Sequence, residues 1–169
     1  MAIRRGFAAR VQGGMLALRM EIRMPPRDGF EARESIRSGL RILLVEDHPL
    51  NQRATLLSLA RMGCVADAVD NGQEAIDAIA AGAYDVVLMD MKMPVLDGLQ
   101  ATQRIREQLA VSVQPYIIAM TARVGDGDRE RCIRMGVDDF LGKPFFPDDL
   151  KAALERSLRS GRLAERSRT

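Results

Sequence analysis

The sequence predicts an α/β fold, a doubly wound parallel sheet of five βα units, on three observations. From Gly39 to about residue 158, five apolar runs of three to six residues recur at intervals that leave room for a helix between them. A stretch of helical character follows each run, and Gly63, Gly82 and Gly136 close three of these stretches. Strands that alternate with helices imply a parallel sheet covered on both faces.

The elements follow in order. Arg41-Ile42-Leu43-Leu44-Val45 is a nearly continuous apolar strand, as expected where both faces are buried. Pro49 to Met62 is a helix, with Leu50, Ala54, Leu57 and Ala60 at helical spacing, and Gly63 ends it. Val65 to Val69 is a second, weaker strand. Asn71-Gly72 is a turn, and Gln73 to Ala81 is a helix closed by Gly82. Tyr84 to Met89 is the third strand, and Asp97-Gly98 opens a helix to about Leu109. Tyr116 to Met120 is the fourth strand, followed by a helix over Asp126 to Met135. Asp139-Phe140-Leu141 is a short fifth strand, and Asp148 to about Arg159 is the last helix. Right-handed crossovers leave few topologies for five such units, and the flavodoxin-like strand order 2-1-3-4-5 leads among them.

Composition limits what this fold can do. Apolar residues are 47% and charged residues 28% of 169, which argues against a wholly disordered chain. The net charge of +2 conceals a split: residues 1–38 and 156–169 each carry +4, whereas residues 39–155 hold twelve basic and eighteen acidic residues, a net −6. An acidic body between basic ends is a poor candidate for direct nucleic-acid binding, and with 4% aromatics and no Trp a base-stacking platform is not expected. Residues 1–38 read as a basic, poorly ordered N-terminal extension and linker, residues 39–158 as one domain, and residues 159–169 as a basic C-terminal tail. Within the extension, Leu16, Leu18, Met20, Ile22 and Met24 alternate with the period of a half-buried strand, and Pro25-Pro26-Arg27-Asp28-Gly29 breaks the pattern.

Cys64 and Cys132 have no metal-binding spacing, and with a single His a zinc site of the usual Cys/His kind cannot be assembled. Two lone cysteines suit a reducing compartment, so a cytoplasmic location is expected. No apolar run approaches the roughly 20 residues of a membrane span. The first twenty residues contain four Arg and no acid, which is similar to a transit peptide, and a secretory signal fits worse.

In a parallel sheet, the residues just past each strand lie along one edge, where open α/β sheets bind ligands. Here they are Glu46 and Asp47 after the first strand, Asp90 after the third, Thr121 after the fourth and Lys143-Pro144 after the fifth. The first and third strands are neighbours in the expected order, so Asp47 and Asp90 should lie close together. Clustered carboxylates repel unless a cation neutralises them, and hard oxygen donors suit Mg²⁺. Lys143 supplies a compact charge for a phosphate, and Thr121 a hydrogen bond to one of its oxygens. The set is one for phosphoryl transfer, with Asp90 as candidate nucleophile.

Four motifs carry a specific resemblance: Val45-Glu46-Asp47-His48-Pro49-Leu50-Asn51-Gln52, Met89-Asp90-Met91-Lys92-Met93-Pro94-Val95-Leu96-Asp97-Gly98, Thr121-Ala122, and Lys143-Pro144. Over residues 40–158 the chain resembles the receiver domains of two-component response regulators, most of all those attached to hybrid sensor histidine kinases. The resemblance implies a phosphorelay module in which Asp90 accepts a phosphoryl group from a histidine kinase or a histidine phosphotransfer protein. It implies Mg²⁺ held by Glu46, Asp47, Asp90 and the backbone carbonyl of Lys92, with Thr121 and Lys143 gripping the phosphoryl oxygens. It implies a switch in which Thr121 moves toward the phosphate and Phe140 rotates inward, altering the face of the fourth helix, fifth strand and fifth helix. Lys92 and Arg123, two residues past Asp90 and Thr121, would tune phosphoryl lifetime, and two long basic side chains there predict slow self-dephosphorylation. The Lys143-Pro144 bond is a cis candidate on the same ground.

Simpler roles fit several other residues. Asp97-Gly98 starts a helix, His48 occupies a solvated loop, and the cysteines are small hydrophobes. An Asp-nucleophile phosphatase of the haloacid dehalogenase type wants a second Asp two residues after the nucleophile, where this chain has Lys92. No glycine-rich nucleotide-binding motif follows any strand. The 14 residues after Glu155 are too few for a helix-turn-helix. A signalling module rather than an enzyme is therefore expected, with no output domain visible and the downstream target left open.

Overall fold

The computed structural model describes residues 18–19, 40–122 and 126–160, with side chains for all of these except 18–19 and 126–128. The strands are β1 (Leu18–Arg19), β2 (Arg41–Val45), β3 (Val65–Val69), β4 (Val86–Asp90), β5 (Tyr116–Thr121) and β6 (Asp139–Gly142). The helices are α1 (Pro49–Arg61), α2 (Gly72–Ala81), α3 (Gly98–Gln108), α4 (Asp126–Arg134) and α5 (Pro147–Arg159), with a short 3₁₀ turn at Val111–Val113.

The sheet order is β1-β3-β2-β4-β5-β6. The five strands β2 to β6 are parallel and take the expected 2-1-3-4-5 order. β1 adds an antiparallel edge strand, with Leu18 opposite Ala68 and Arg19 opposite Asp67. It falls inside the alternating Leu16–Met24 stretch, whose other residues lie outside the described ones.

Strand pleating sends successive side chains to opposite faces. Ile42, Leu44, Leu88, Ile118 and Met120 therefore pack with Leu56 and Leu59 of α1 and Leu150 and Leu154 of α5. Leu43, Val45, Val87, Met89 and Ile117 pack on the other face with Ala75 and Ile79 of α2 and Ala101 and Ile105 of α3. The central strands are buried on both sides, which is why they read as continuous apolar runs.

Two local features differ from the sequence reading. In α1 the stripe that reveals the helix is not the buried one: Leu50 is 73% exposed and Leu57 is also exposed. Thr55, Leu56 and Leu59 face the core instead, where the two leucines join the buried cluster that also holds Leu150 and Leu154 of α5. Asn71 is not merely a turn residue. Its side chain accepts from the amides of Gln73 and Glu74 and caps α2, which starts one residue earlier than expected. Asp97 caps α3 in the same way through the Gln100 amide at 2.8 Å. Gly63, at φ 78°, ends α1 in the left-handed region that glycine tolerates.

Candidate functional site

The carboxyl ends of β2, β4 and β6 build the site. β2 ends at Val45, so Glu46 and Asp47 start the loop to α1; the Glu46 amide still donates to Val69 of β3 at 3.1 Å, which fixes that loop against the sheet. Asp90 is the last residue of β4 rather than the first beyond it. α3 returns directly beneath it: a Cβ on Gly98 would collide with the Asp90 carbonyl oxygen, so only glycine allows this approach.

The oxygens of Glu46, Asp47 and Asp90 come within 4.8 Å of one another. Glu46 is 2% and Asp90 7% exposed, while Asp47 is open to solvent. Lys143 follows β6 and has to cross β5 to reach them, two strand spacings or about 10 Å. Its ammonium donates to Glu46 Oε2 at 2.5 Å and to Asp90 Oδ2 at 2.7 Å. Burial alone would lower the Lys143 pKa, but the hydrogen bonds and charges of Asp90 and Glu46 outweigh it and raise the pKa above the ordinary lysine value. The Lys143-Pro144 bond is cis.

The second oxygens of Asp90 and Glu46 are also occupied. Asp90 Oδ1 accepts from the Lys92 amide at 3.1 Å, and Glu46 Oε1 from Asn51 Nδ2 at 3.0 Å. Thr121 ends β5 beside the site, half-buried, and its carbonyl accepts from the Lys143 amide at 2.7 Å. Three convergent carboxylates are the donor set of a hard divalent cation, and Glu46, Asp47 and Asp90 fit one.

Residues 42–155 match the family model described as the response regulator receiver domain. The chain belongs to the receiver family. The receiver is 37% identical over 120 residues to two-component response regulator 24 of Arabidopsis thaliana, covering 70% of this chain and 84% of that protein. It is 32% identical over 127 residues to hybrid signal transduction histidine kinase K of Dictyostelium discoideum, covering 70% of this chain but spanning only 10% of that kinase. Among solved structures it matches the receiver domain of a sensor histidine kinase from Pseudomonas aeruginosa PAO1, which holds a magnesium ion coordinated in its active-site cleft. That match has a TM-score of 0.65 and 41% identity, over 72% of this chain and 99% of that one. It also matches the receiver domain of the Saccharomyces cerevisiae response regulator Ssk1, co-crystallised with the histidine phosphotransfer protein Ypd1. Here the TM-score is 0.63 and the identity 27%, over 68% of this chain and 86% of that one.

Of the receiver residues named from sequence, Glu46, Asp47, Asp90 and Lys143 converge, with Thr121 beside them. Phe140 lies apart on β6, half-buried, with the Arg129 guanidinium of α4 over its ring at 4.7 Å. Arg123 lies outside the described residues. His48 precedes α1, exposed and without a side-chain cap bond. Cys64 is half-buried against the core, and burial pushes its thiol pKa up. Sequence reading assigned no role to Asn51, Gln52 or Val95. The first two were visible as amides one turn beyond an acidic pair. Val95, at φ 69°, carried no signal, because a valine does not advertise left-handed backbone.

Proposed function

We propose that this receiver accepts a phosphoryl group on Asp90 from a phosphohistidine of a sensor histidine kinase or a histidine phosphotransfer protein. The observation that carries the reading is the Lys143 ammonium bound at once to Asp90 and Glu46 on the rim of a parallel sheet. In the step, a lone pair of an Asp90 carboxylate oxygen forms a bond to phosphorus. The phosphorus–nitrogen bond breaks, its electron pair stays on the histidine ring, and neutral imidazole leaves when its other nitrogen is protonated. Glu46, Asp47 and Asp90, with the Lys92 carbonyl, would hold Mg²⁺, which when bound supplies charge neutralisation to the transferring group. Lys143 stays near Asp90 throughout and offsets charge on a phosphoryl oxygen, and Thr121 holds another.

The same reading takes Thr121 and Phe140 as the switch and Lys92 and Arg123 as determinants of phosphoryl lifetime. Residues 39–158 are the functional unit, flanked by the basic segments 1–38 and 159–169. The domain acts as a cytoplasmic signalling phosphoacceptor and not as an enzyme on small substrates; its downstream target is a protein. Among the described residues no helix is long and apolar enough to cross a membrane. Incubation with Mg²⁺ and a small phosphodonor, followed by intact mass, tests the reading. Wild type gains one phosphoryl group and Asp90→Asn gains none; equal uptake by both would refute the assignment.

A further inference from the structure

Asn51 and Gln52 stand in the first turn of α1, a few residues past the acidic pair. Neither carries a charge, yet both bind Glu46. Asn51 Nδ2 donates to Glu46 Oε1 at 3.0 Å, on the oxygen that Lys143 does not hold. The two N–H bonds of one Gln52 amide serve two loops: they reach the Glu46 carbonyl at 3.1 Å and Asp70 Oδ1 at 2.9 Å. Asp70 directly follows β3, and its own amide donates to Glu74 of α2 at 3.0 Å. The carboxylate and the backbone of Glu46 are thus held separately, from one helix turn, against the ends of two strands.

Lys143 cannot do this work alone. It is shared between Glu46 and Asp90, and any cation entering the cluster competes with it for the same oxygens. Asn51 binds the other oxygen of Glu46, so its bond does not compete with that of Lys143. We propose that Asn51 and Gln52 are positioning residues that hold Glu46 in place for the acidic cluster, and that Asn51 thereby sets the affinity of the cluster for a divalent cation it does not itself touch. The proposal rests on the metal-dependent reading above. Partners that orient metal-binding carboxylates typically govern affinity by 10- to 100-fold.

Because Asn51 is neutral, its removal leaves the charge of the site unchanged, so a loss of affinity reports orientation alone. The test is calorimetric titration of the whole chain with Mg²⁺, alongside thermal melting in EDTA. Asn51→Ala binds about tenfold more weakly while melting as wild type does in EDTA. Gln52→Ala also binds more weakly. Asn51→Asp keeps the shape, loses the donor and adds a negative charge beside Glu46. It binds no tighter than wild type if position governs, and tighter if net charge does. Wild-type affinity in Asn51→Ala, or tighter binding by Asn51→Asp, overturns the positioning role while leaving the functional reading intact. A wild-type protein that takes no Mg²⁺ overturns both.

Discussion

At the level of single residues, one in the loop that follows Asp90 is held under backbone strain. Val95 sits at φ 69° in the loop between β4 and α3, where the Leu96 amide donates to the Pro94 carbonyl at 2.8 Å and closes a three-residue turn. A β-branched residue there costs roughly 1–2 kcal/mol. Its side chain is 84% exposed, so it recovers little by packing. Val95→Gly therefore raises the unfolding free energy by up to about 1 kcal/mol, net of the extra freedom glycine gives the unfolded chain; urea denaturation measures it, and a loss of stability would mean the turn is not strained. Residues at this scale were unevenly legible. Asp47, Asp90 and Lys143 could be read because strand ends in a parallel sheet must converge. Asn51 and Gln52 were visible as residues but their bonds to Glu46 were not, because those bonds depend on how α1 is rotated, and the apolar stripe pointed to the wrong face.

Elements are tied together at the opposite end of the sheet by a second polar group. Arg106 of α3 donates to the Gly136 carbonyl at 2.9 Å, the Pro115 carbonyl at 2.8 Å and Asp138 Oδ2 at 2.6 Å. Asp138 Oδ2 in turn accepts from the Ile117 amide of β5 at 2.8 Å. The guanidinium thereby joins α3, β5 and the turn between α4 and β6, and it is nearly buried, with its side chain 12% exposed. Arg106→Ala removes the guanidinium paired with Asp138 and costs about 3 kcal/mol, the low end for breaking a buried pair; chemical denaturation checks it, and a cost under about 1 kcal/mol would place the pair among weak surface bridges. The elements themselves were legible from alternating period and glycine stops. The Arg106 group was not, because these partners are 9 to 32 residues away in sequence.

For the whole molecule, the Lys143 ammonium held between Glu46 and Asp90 ties stability to pH at the alkaline end. The folded-state pKa of Lys143 lies above the ordinary lysine value of 10.5. Its contribution is therefore fully present below that value and is lost as pH rises through the raised folded-state pKa. The difference in unfolding free energy between wild type and Lys143→Met should stay level from about pH 8 to about pH 10 and shrink beyond the lysine range. Urea denaturation at each pH measures it, and a difference that falls away already at neutral pH would contradict the clamp. At this scale the five-strand order was legible because crossover handedness leaves few alternatives, whereas β1 was legible only as an alternation with no stated neighbour. Phosphorylation on Asp90 is the proposal on which the rest depends, and borohydride reduction of the phosphorylated protein followed by peptide mass spectrometry locates the phosphate. Reduction of an acyl phosphate marks the modified carboxylate; the mark is expected at Asp90 alone, and a mark at Asp47 or Glu46, or at none of the three, would refute the assignment.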